Sequence, residues 1–291
     1  MQADFAALFR AAADGATVGG ARSVSGGSIH AAWRVDTSAG PLFVKLNDAE
    51  CAPLFTAEAA GLQRLAETQT VRVPAVRGSG TEGDRAWLAL EWLDLQPLDR
   101  DGGGRLGEQL AALHRISSDH FGLDHDNHIG LTPQLNAPHA DWPWFFAHRR
   151  LQPQLELARS KGLERETVER GLKLVEKLAG IFVGRRIVPA LIHGDLWSGN
   201  AAMLADGTPV IFDPAIHFAD READLAMAEL FGGFPASFYA AYRRAAPLAE
   251  GYEQRKALYN LYHMLNHYNL FGASYLGQVK RMIDGLTAAL R

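Results

Sequence analysis

Leu191-Ile192-His193-Gly194-Asp195-Leu196-Trp197-Ser198-Gly199-Asn200 runs an apolar strand into a loop carrying an aspartate and, five positions on, an asparagine. Thirteen residues past Asn200, a second apolar strand, Val210-Ile211-Phe212, delivers Asp213, followed by Pro214. Two such loops, set side by side by neighbouring strands, bring together a carboxylate, an amide oxygen and a second carboxylate. Phosphoryl transfer from ATP calls for that set. Asp195 would accept or orient the proton of an acceptor hydroxyl, while Asn200 and Asp213 would offer hard oxygen ligands to Mg2+. An aspartate beside Gly or Pro also makes turns and caps helices, which accounts for either one taken singly. The pair of strand-borne loops is what points to chemistry. His193 reads as a buried histidine bracing the loop through a hydrogen bond. Trp197 reads either as core or as a wall of an acceptor pocket.

The other half of such a site lies upstream. Alternation along Leu42-Phe43-Val44-Lys45-Leu46-Asn47 puts Lys45 on one face with Phe43 and Asn47. A strand-borne lysine reaches ATP phosphates when something holds it. Glu58, on an amphipathic helix beginning near Thr56, is its natural partner. By themselves the two are ordinary surface residue types; their order ahead of the Asp195 loop links them. Val24-Ser25-Gly26-Gly27-Ser28-Ile29 joins two strands, so Gly26, Gly27 and Ser28 would turn backbone amides toward phosphates. A plain hairpin accounts for those residues as well, and neither G-x-G-x-x-G nor a Walker loop is present. Glu91-Trp92-Leu93, where the last strand of this half meets a connector, would offer backbone groups to an adenine ring.

The wider pattern divides in two. Residues 1–93 read as a strand-rich, nucleotide-binding lobe: a short opening helix at Phe5-Ala12, strands around Val24, Val35 and Val44, one principal helix, and strands at Val71-Val73 and Ala86-Leu90. The stretch 94–104, with Pro97 and three consecutive glycines, reads as the connector. Residues 94–291 read as a helical catalytic and acceptor-binding lobe, with helical spacing at Leu106-Leu110-Leu113, Leu172-Val175-Leu178 and Leu258-Leu261-Leu265. Asp220 and Glu222 suit the first turn of a helix, whereas Asp224, among apolar neighbours, predicts a buried brace under the catalytic loop. His263 and His267 lie one turn apart, but the H-E-x-x-H glutamate of a zinc helix is missing because Met264 follows His263. A polar stripe toward the cleft or a hydrogen-bonded core face fits them. The candidate acceptor wall is Trp142, Trp144, Trp197, His263 and His267.

Composition narrows the class. The 291 residues carry 29 basic and 33 acidic side chains, a net charge of −4, so no basic excess points to nucleic acid or an anionic membrane. The single cysteine, Cys51, cannot form an internal disulfide. Asp4 and Arg10 stand where a signal peptide would be uncharged, and no apolar run approaches the ~18 residues of a membrane span. The expectation is a cytoplasmic α+β protein of two units at about 150 residues per domain. Gly194 stands where a protein kinase's H-R-D has arginine, and no A-P-E segment follows Asp213, so protein kinase activity is not expected.

HGDLWSGN (193–200), FDPAIHFADREADLAMAELFGGF (212–234) and LYHMLNHYNLFG (261–272) resemble the fructosamine kinase family, as do FVKLN (43–47), AEAAGL (57–62) and FGLDHDNHIGLTPQLN (121–136). The likeness runs from about Gly26 to the C-terminus. It implies a bilobal, protein-kinase-like fold related to aminoglycoside and choline phosphotransferases. It also implies ATP- and Mg2+-dependent phosphorylation of a ketosamine, fructosamine or ribulosamine, on the sugar 3-hydroxyl. The product is unstable, so the activity implied is deglycation repair of a glycated amine or protein. By position, Asp195 matches the family's catalytic aspartate, Asn200 and Asp213 its magnesium ligands, and Lys45 with Glu58 its phosphate-anchoring pair. Some members carry a redox-active cysteine in the glycine turn; this chain has Ser28 there. The matching catalytic positions imply an active enzyme rather than a scaffold. Another hydroxylated amine, aminoglycoside- or choline-like, is the alternative acceptor.

Overall fold

The structure, a computed structural model, describes residues 5–25 and 29–290. Helix α1 (Ala6–Ala12) precedes strands β1 (Val18–Val24), β2 (Ala31–Thr37) and β3 (Leu42–Asp48); helix α2 (Ala52–Glu67) precedes β4 (Val76–Glu82) and β5 (Arg85–Glu91). The five strands form one antiparallel sheet in the order β1-β2-β3-β5-β4. Alternation sends Val44 and Leu46 to one face, where Leu8 and Phe9 of α1 cover them. The opposite face packs on α2 through Phe55, Leu62 and Leu65, each side chain contributing about 1.5–3 kcal/mol on burial. That helix starts at Ala52, after a 3-10 turn (Ala49–Cys51), four residues earlier than its apolar pattern suggests.

Strand β4 falls where no strand is expected, because VRGSGTE lacks alternating apolar residues. Its glycines explain the pairing. A Cβ on Gly80 would stand 3.1 Å from the Trp87 ring, and one on Gly78 3.4 Å, so the indole of β5 lies across the bare backbone of its neighbour. The expected strand at Val71-Val73 is instead an isolated parallel bridge from Arg72 to Val210.

Beyond the sheet, α3 (Arg100–Leu113) absorbs the glycine run read as connector, with Asp99 as N-cap accepting from the Gly102 N–H at 2.7 Å. Helix propensity argues against three glycines there; packing overrides it. Short ribbons β6 (Asn127–Ile129) and β7 (Thr132–Gln134) follow, then α4 (Trp142–Phe146), α5 (Gln152–Ser160) and α6 (Arg165–Lys177). Strands β8 (Ala190–Ile192), β9 (Ala201–Met203), β10 (Pro209–Ile211) and β11 (His217–Ala219) lead to α7 (Glu222–Leu230), α8 (Ala236–Ala245), α9 (Tyr252–Phe271) and α10 (Leu276–Ala289). Gly102, Gly103 and Gly107 bring α3 against Met203, Pro235 and the backbone of α8, where a Cβ on Gly107 would lie 2.3 Å from the Phe238 carbonyl oxygen. One apolar core is shared between the halves, joining Leu62 and Leu88 to Leu106, Leu191, Ile211 and Phe238. A second fills the helical half around Phe145, Leu155, Tyr259 and Leu265. No helix among the described residues is long and apolar enough to cross a membrane.

The α3–α8 contact makes two neighbouring glycines behave oppositely. Gly107→Ala should destabilise by about 1–3 kcal/mol through overpacking. Gly104→Ala, whose Cβ would meet only Ser237 at 3.9 Å, should stabilise by about 0.4–1 kcal/mol. Urea denaturation of the two variants measures both; equal effects would refute the packing account.

Candidate active site

Lys45 leaves β3 on the face that packs on α2. Its Nζ lies 2.7 Å from Glu58 Oε1 and 2.6 Å from Asp213 Oδ1, with the lysine side chain 8% exposed. Burial by itself lowers a lysine's affinity for its proton, but Asp213 and Glu58 more than reverse this, and the ammonium is held well above its ordinary pKa. Burial pushes Glu58 up while Lys45 pulls it back. The triangle joins three distant parts of the chain: a strand, a helix and the loop after β10.

Strand pairing sets the loops bearing Asp195 and Asp213 side by side. The strands that enter and leave one loop pair with those that leave and enter the other, β8 with β11 and β9 with β10, as two short antiparallel ribbons. Direct bonds between the loops reinforce this: Ala215 N–H to the His193 carbonyl at 2.9 Å, Phe212 N–H to the Asn200 carbonyl at 3.1 Å, and His193 Nε2 with the Phe212 carbonyl at 3.0 Å. His193 is fully buried and braces the loop as expected. Gly194, at φ +86°, makes the close approach possible, since a Cβ there would fall 2.1 Å from the Ala215 oxygen. That contact is the physical reason no arginine occupies this position. Asp213 takes a left-handed φ of +57°, a strain of about 1–2 kcal/mol borne by the bonds on either side of it.

Asp224 lies beneath the loop. Its carboxylate accepts from the His193 N–H at 2.7 Å and the Gly194 N–H at 2.8 Å, and His114 Nε2 stands 3.1 Å away. Burial raises its pKa, yet these donors outweigh burial and hold it below the ordinary value. His114 is fixed in turn by the Tyr242 hydroxyl at 2.7 Å. A further brace, a buried amide network, has no signature in residue spacing. Gln134 and Asn127 donate to the Ala215 and Ile216 carbonyls, Asn136 links to Asn127, and Arg150 Nη2 donates to Asn136 Oδ1 at 2.6 Å. Its residues come from three separate stretches, so spacing could not reveal it.

Asp195 is held from one side by Asn200, whose Nδ2 lies 3.0 Å from the Asp195 carbonyl and 3.3 Å from Oδ2. His263 Nδ1 faces the other carboxylate oxygen at 4.0 Å. Burial, then the negative charges of Asp213 and Asp224, raise the Asp195 pKa to about 7. Burial, then His267, lowers His263 to about 3, so the imidazole is neutral.

A row of rings extends outward from this carboxylate. Trp197 meets Phe231 at 6.2 Å, Phe231 meets His267 at 5.0 Å, and His267 meets Tyr275 at 5.1 Å and Phe271 at 5.7 Å. Trp197, Phe231 and Phe271 are all exposed, so they form an open wall rather than core. The structure thus places Trp197 at the surface rather than in the core. Phe231, Phe271 and Tyr275 were missed, although His267, Phe271 and Tyr275 repeat every four residues and could have been read as one face. Trp142 is a correction: it is buried and donates to the Tyr259 hydroxyl at 3.0 Å, as core. Trp144 stacks on His139 at 4.0 Å, apart from the wall.

The nucleotide-side expectations divide. Gly26, Gly27 and Ser28 lie outside the described residues. The Glu91 N–H is committed to the Ala75 carbonyl at 2.8 Å, and its carboxylate to Arg72 at 2.5 Å, so adenine cannot be met by that amide. The Trp92 ring is covered by the Arg34 guanidinium at 4.8 Å. Leu93 follows, half-buried. Among the described residues no cluster of three or more His, Cys, Asp or Glu could hold a metal alone. Asn200 and Asp213 are instead two oxygen donors kept adjacent by the Phe212–Asn200 bond, a set that suits Mg2+ when phosphates complete the shell.

This geometry can be set against known proteins. The family model described as fructosamine kinase matches residues 1–289. A probable ketoamine kinase of Synechocystis sp. is 48% identical over 263 residues, 90% of this chain and 88% of that protein. The chloroplastic protein-ribulosamine 3-kinase of Arabidopsis thaliana is 40% identical over 92% of this chain and 83% of its own length. A crystal structure titled "Putative fructosamine-3-kinase", from Haemophilus somnus 129PT, superposes with a TM-score of 0.88 at 29% identity, covering 96% of each chain. The chain belongs to the fructosamine kinase family and is an α+β enzyme built on the two-lobed, protein-kinase-like fold.

Proposed function

We propose that the protein transfers the γ-phosphoryl group of ATP to the 3-hydroxyl of a ketosamine, in the cleft between a nucleotide lobe (1–93) and an acceptor lobe (94–291). The observation that carries this reading is the Lys45–Glu58–Asp213 triangle, its lysine and glutamate buried and its Asp213 corner open, standing beside Asp195. Lys45 would neutralise phosphate charge, with Glu58 keeping the ammonium in place. Asn200 and Asp213 would hold Mg2+, which supplies charge neutralisation at the phosphates. With Mg2+ held there, Asp213 would serve as an oxygen ligand, and Lys45, kept in place by Glu58, would turn from that carboxylate to a phosphate. Asp195 would accept a hydrogen bond from the acceptor hydroxyl and take its proton as the bond to phosphorus forms, ADP leaving with the electron pair. Catalysis is otherwise positioning. The ring wall from Trp197 to Tyr275 suits the C–H face of a sugar, and His267 and His263 offer polar edges to its hydroxyls.

An acceptor panel with MgATP tests the reading directly. Fructose- and ribulose-derived ketosamines should be phosphorylated, with 31P NMR placing the phosphate on the sugar 3-oxygen. Turnover confined to aminoglycosides or choline would overturn the acceptor assignment.

Asp195→Asn should lower kcat by about 100-fold or more while leaving the affinity for MgATP nearly unchanged. Wild-type turnover in that variant would remove Asp195 from proton transfer.

The raised Asp195 pKa also predicts a pH-dependent stability difference. In the unfolded chain the carboxyl ionises near its ordinary 3.8; in the folded protein it holds its proton until about 7. Ionisation therefore costs stability progressively between those values and fully above pH 7. The nucleotide-free Asp195→Asn protein should melt at the same temperature as wild type near pH 4 and at a higher one at pH 8. Thermal unfolding across that range checks it, and a gain independent of pH would refute the assignment.

A further inference from the structure

A cavity of about 460 Å3 opens on the side of α2 away from the active site, within the ~300–1,000 Å3 range of small-molecule sites. Its floor is apolar, formed by Phe121 and by Ile216 and Phe218 of the strand that follows Asp213-Pro214. Its other wall is α2 itself, through Ala60 and Arg64. At about 100° per residue, these two lie roughly 200° and 240° round the helix from Glu58. One helix thus turns Glu58 toward Lys45 and its opposite face toward the cavity.

Between the two faces sits Gly61, against which Pro214 and Ile216 pack. A Cβ there would be 3.3 Å from Pro214 Cγ and 3.6 Å from Ile216 Cγ1. The helix therefore rests directly on the segment that carries Asp213, and Ile216 belongs to both this contact and the cavity floor. A molecule filling the cavity would touch α2 on one side and the residues after Asp213 on the other. It would add apolar contact across the joint that fixes the Lys45–Glu58–Asp213 triangle.

The rim sets the charge of the occupant. Its one carboxylate, Asp124, has its side chain 87% exposed, turned to solvent with His125 Nδ1 at 2.6 Å. Its one permanent cation, Arg64, is engaged only by Glu67 at 3.2 Å across an exposed i,i+3 pair, an interaction worth little in water and easily exchanged. A guanidinium fork accepts a carboxylate bidentately, and the floor takes a flat hydrocarbon body. We propose that this cavity is a regulatory site for a small aromatic carboxylate, whose binding holds α2 against the Asp213 segment and tightens nucleotide binding. The proposal rests on the reading of the Lys45 triangle as the nucleotide site.

Naphthalene-2-carboxylate is a suitable probe, titrated calorimetrically into the full chain with and without the non-hydrolysable nucleotide MgAMP-PNP. Saturable binding is expected. It should be abolished by Ala60→Trp, which fills the cavity, and weakened at least about tenfold by the surface change Arg64→Glu, with the uncharged naphthalene-2-carboxamide similarly weak on wild type. The probe should raise MgAMP-PNP affinity about fivefold or more, and the nucleotide should raise probe affinity by the same factor. No saturable binding, binding undiminished in both variants, or a nucleotide affinity unmoved by saturating probe would each overturn the proposal. Probe binding requires neither nucleotide nor acceptor. A protein that binds the probe at this cavity but never binds MgAMP-PNP would fail the nucleotide reading instead.

Discussion

A single ammonium group, that of Lys45, is the point on which the rest of the site depends. It is buried between two carboxylates from different parts of the chain. Removing one partner of a buried ion pair costs about 3–5 kcal/mol, because the other is left uncompensated. The sheet, α2 and the Asp213 loop are therefore locked together by charge as well as by the apolar core that runs across all three. Exposed pairs such as Arg64–Glu67 contribute little by comparison. In the reading proposed above, the same geometry would let the ammonium exchange one carboxylate for phosphate when a divalent ion competes for Asp213.

The helical half supplies rigidity in a different way. Its two candidate loops are flanked by strands that pair with one another, and three hydrogen bonds tie them further across a contact that tolerates only glycine at position 194. Beneath them, Asp224 collects backbone donors from the Asp195 loop, and the Gln134-Asn127-Asn136-Arg150 network holds the Asp213 side. Hydrogen bonds in a buried network favour one arrangement, because any alternative strands a donor or acceptor in a low-dielectric interior. That specificity holds the Asp195 carboxylate and the Asn200 amide against one another.

The open ring wall contrasts with this rigidity. Trp197, Phe231 and Phe271 stay exposed although each could bury considerable apolar area. Half-exposed aromatics in contact with one another form an apolar surface of the kind that binds ligands, and the acceptor role proposed for it rests on that exposure. Family membership agrees with that arrangement, since the relatives are named for ketoamines and ribulosamine.

Residues next to one another in the chain made part of this legible. The Asp195–Asn200 spacing, Asp213 after a strand, Lys45 on an alternating strand and Asp224 among apolar neighbours are local patterns, and local patterns survive in a one-dimensional string. Wherever the outcome depended on a distant partner, the string misled. The glycines at 102–104 looked like a linker but form a helix face, because α8 needs their missing side chains. VRGSGTE shows no alternating apolar residues, yet it pairs as a strand under the Trp87 ring. Trp142 looked like a wall and is core. By itself, the sequence determined which groups are candidates for chemistry and on which kind of element each sits. Tertiary structure alone decided which of them meet, because burial, close backbone approach and charge pairing act between residues separated by up to 168 positions, the span from Lys45 to Asp213.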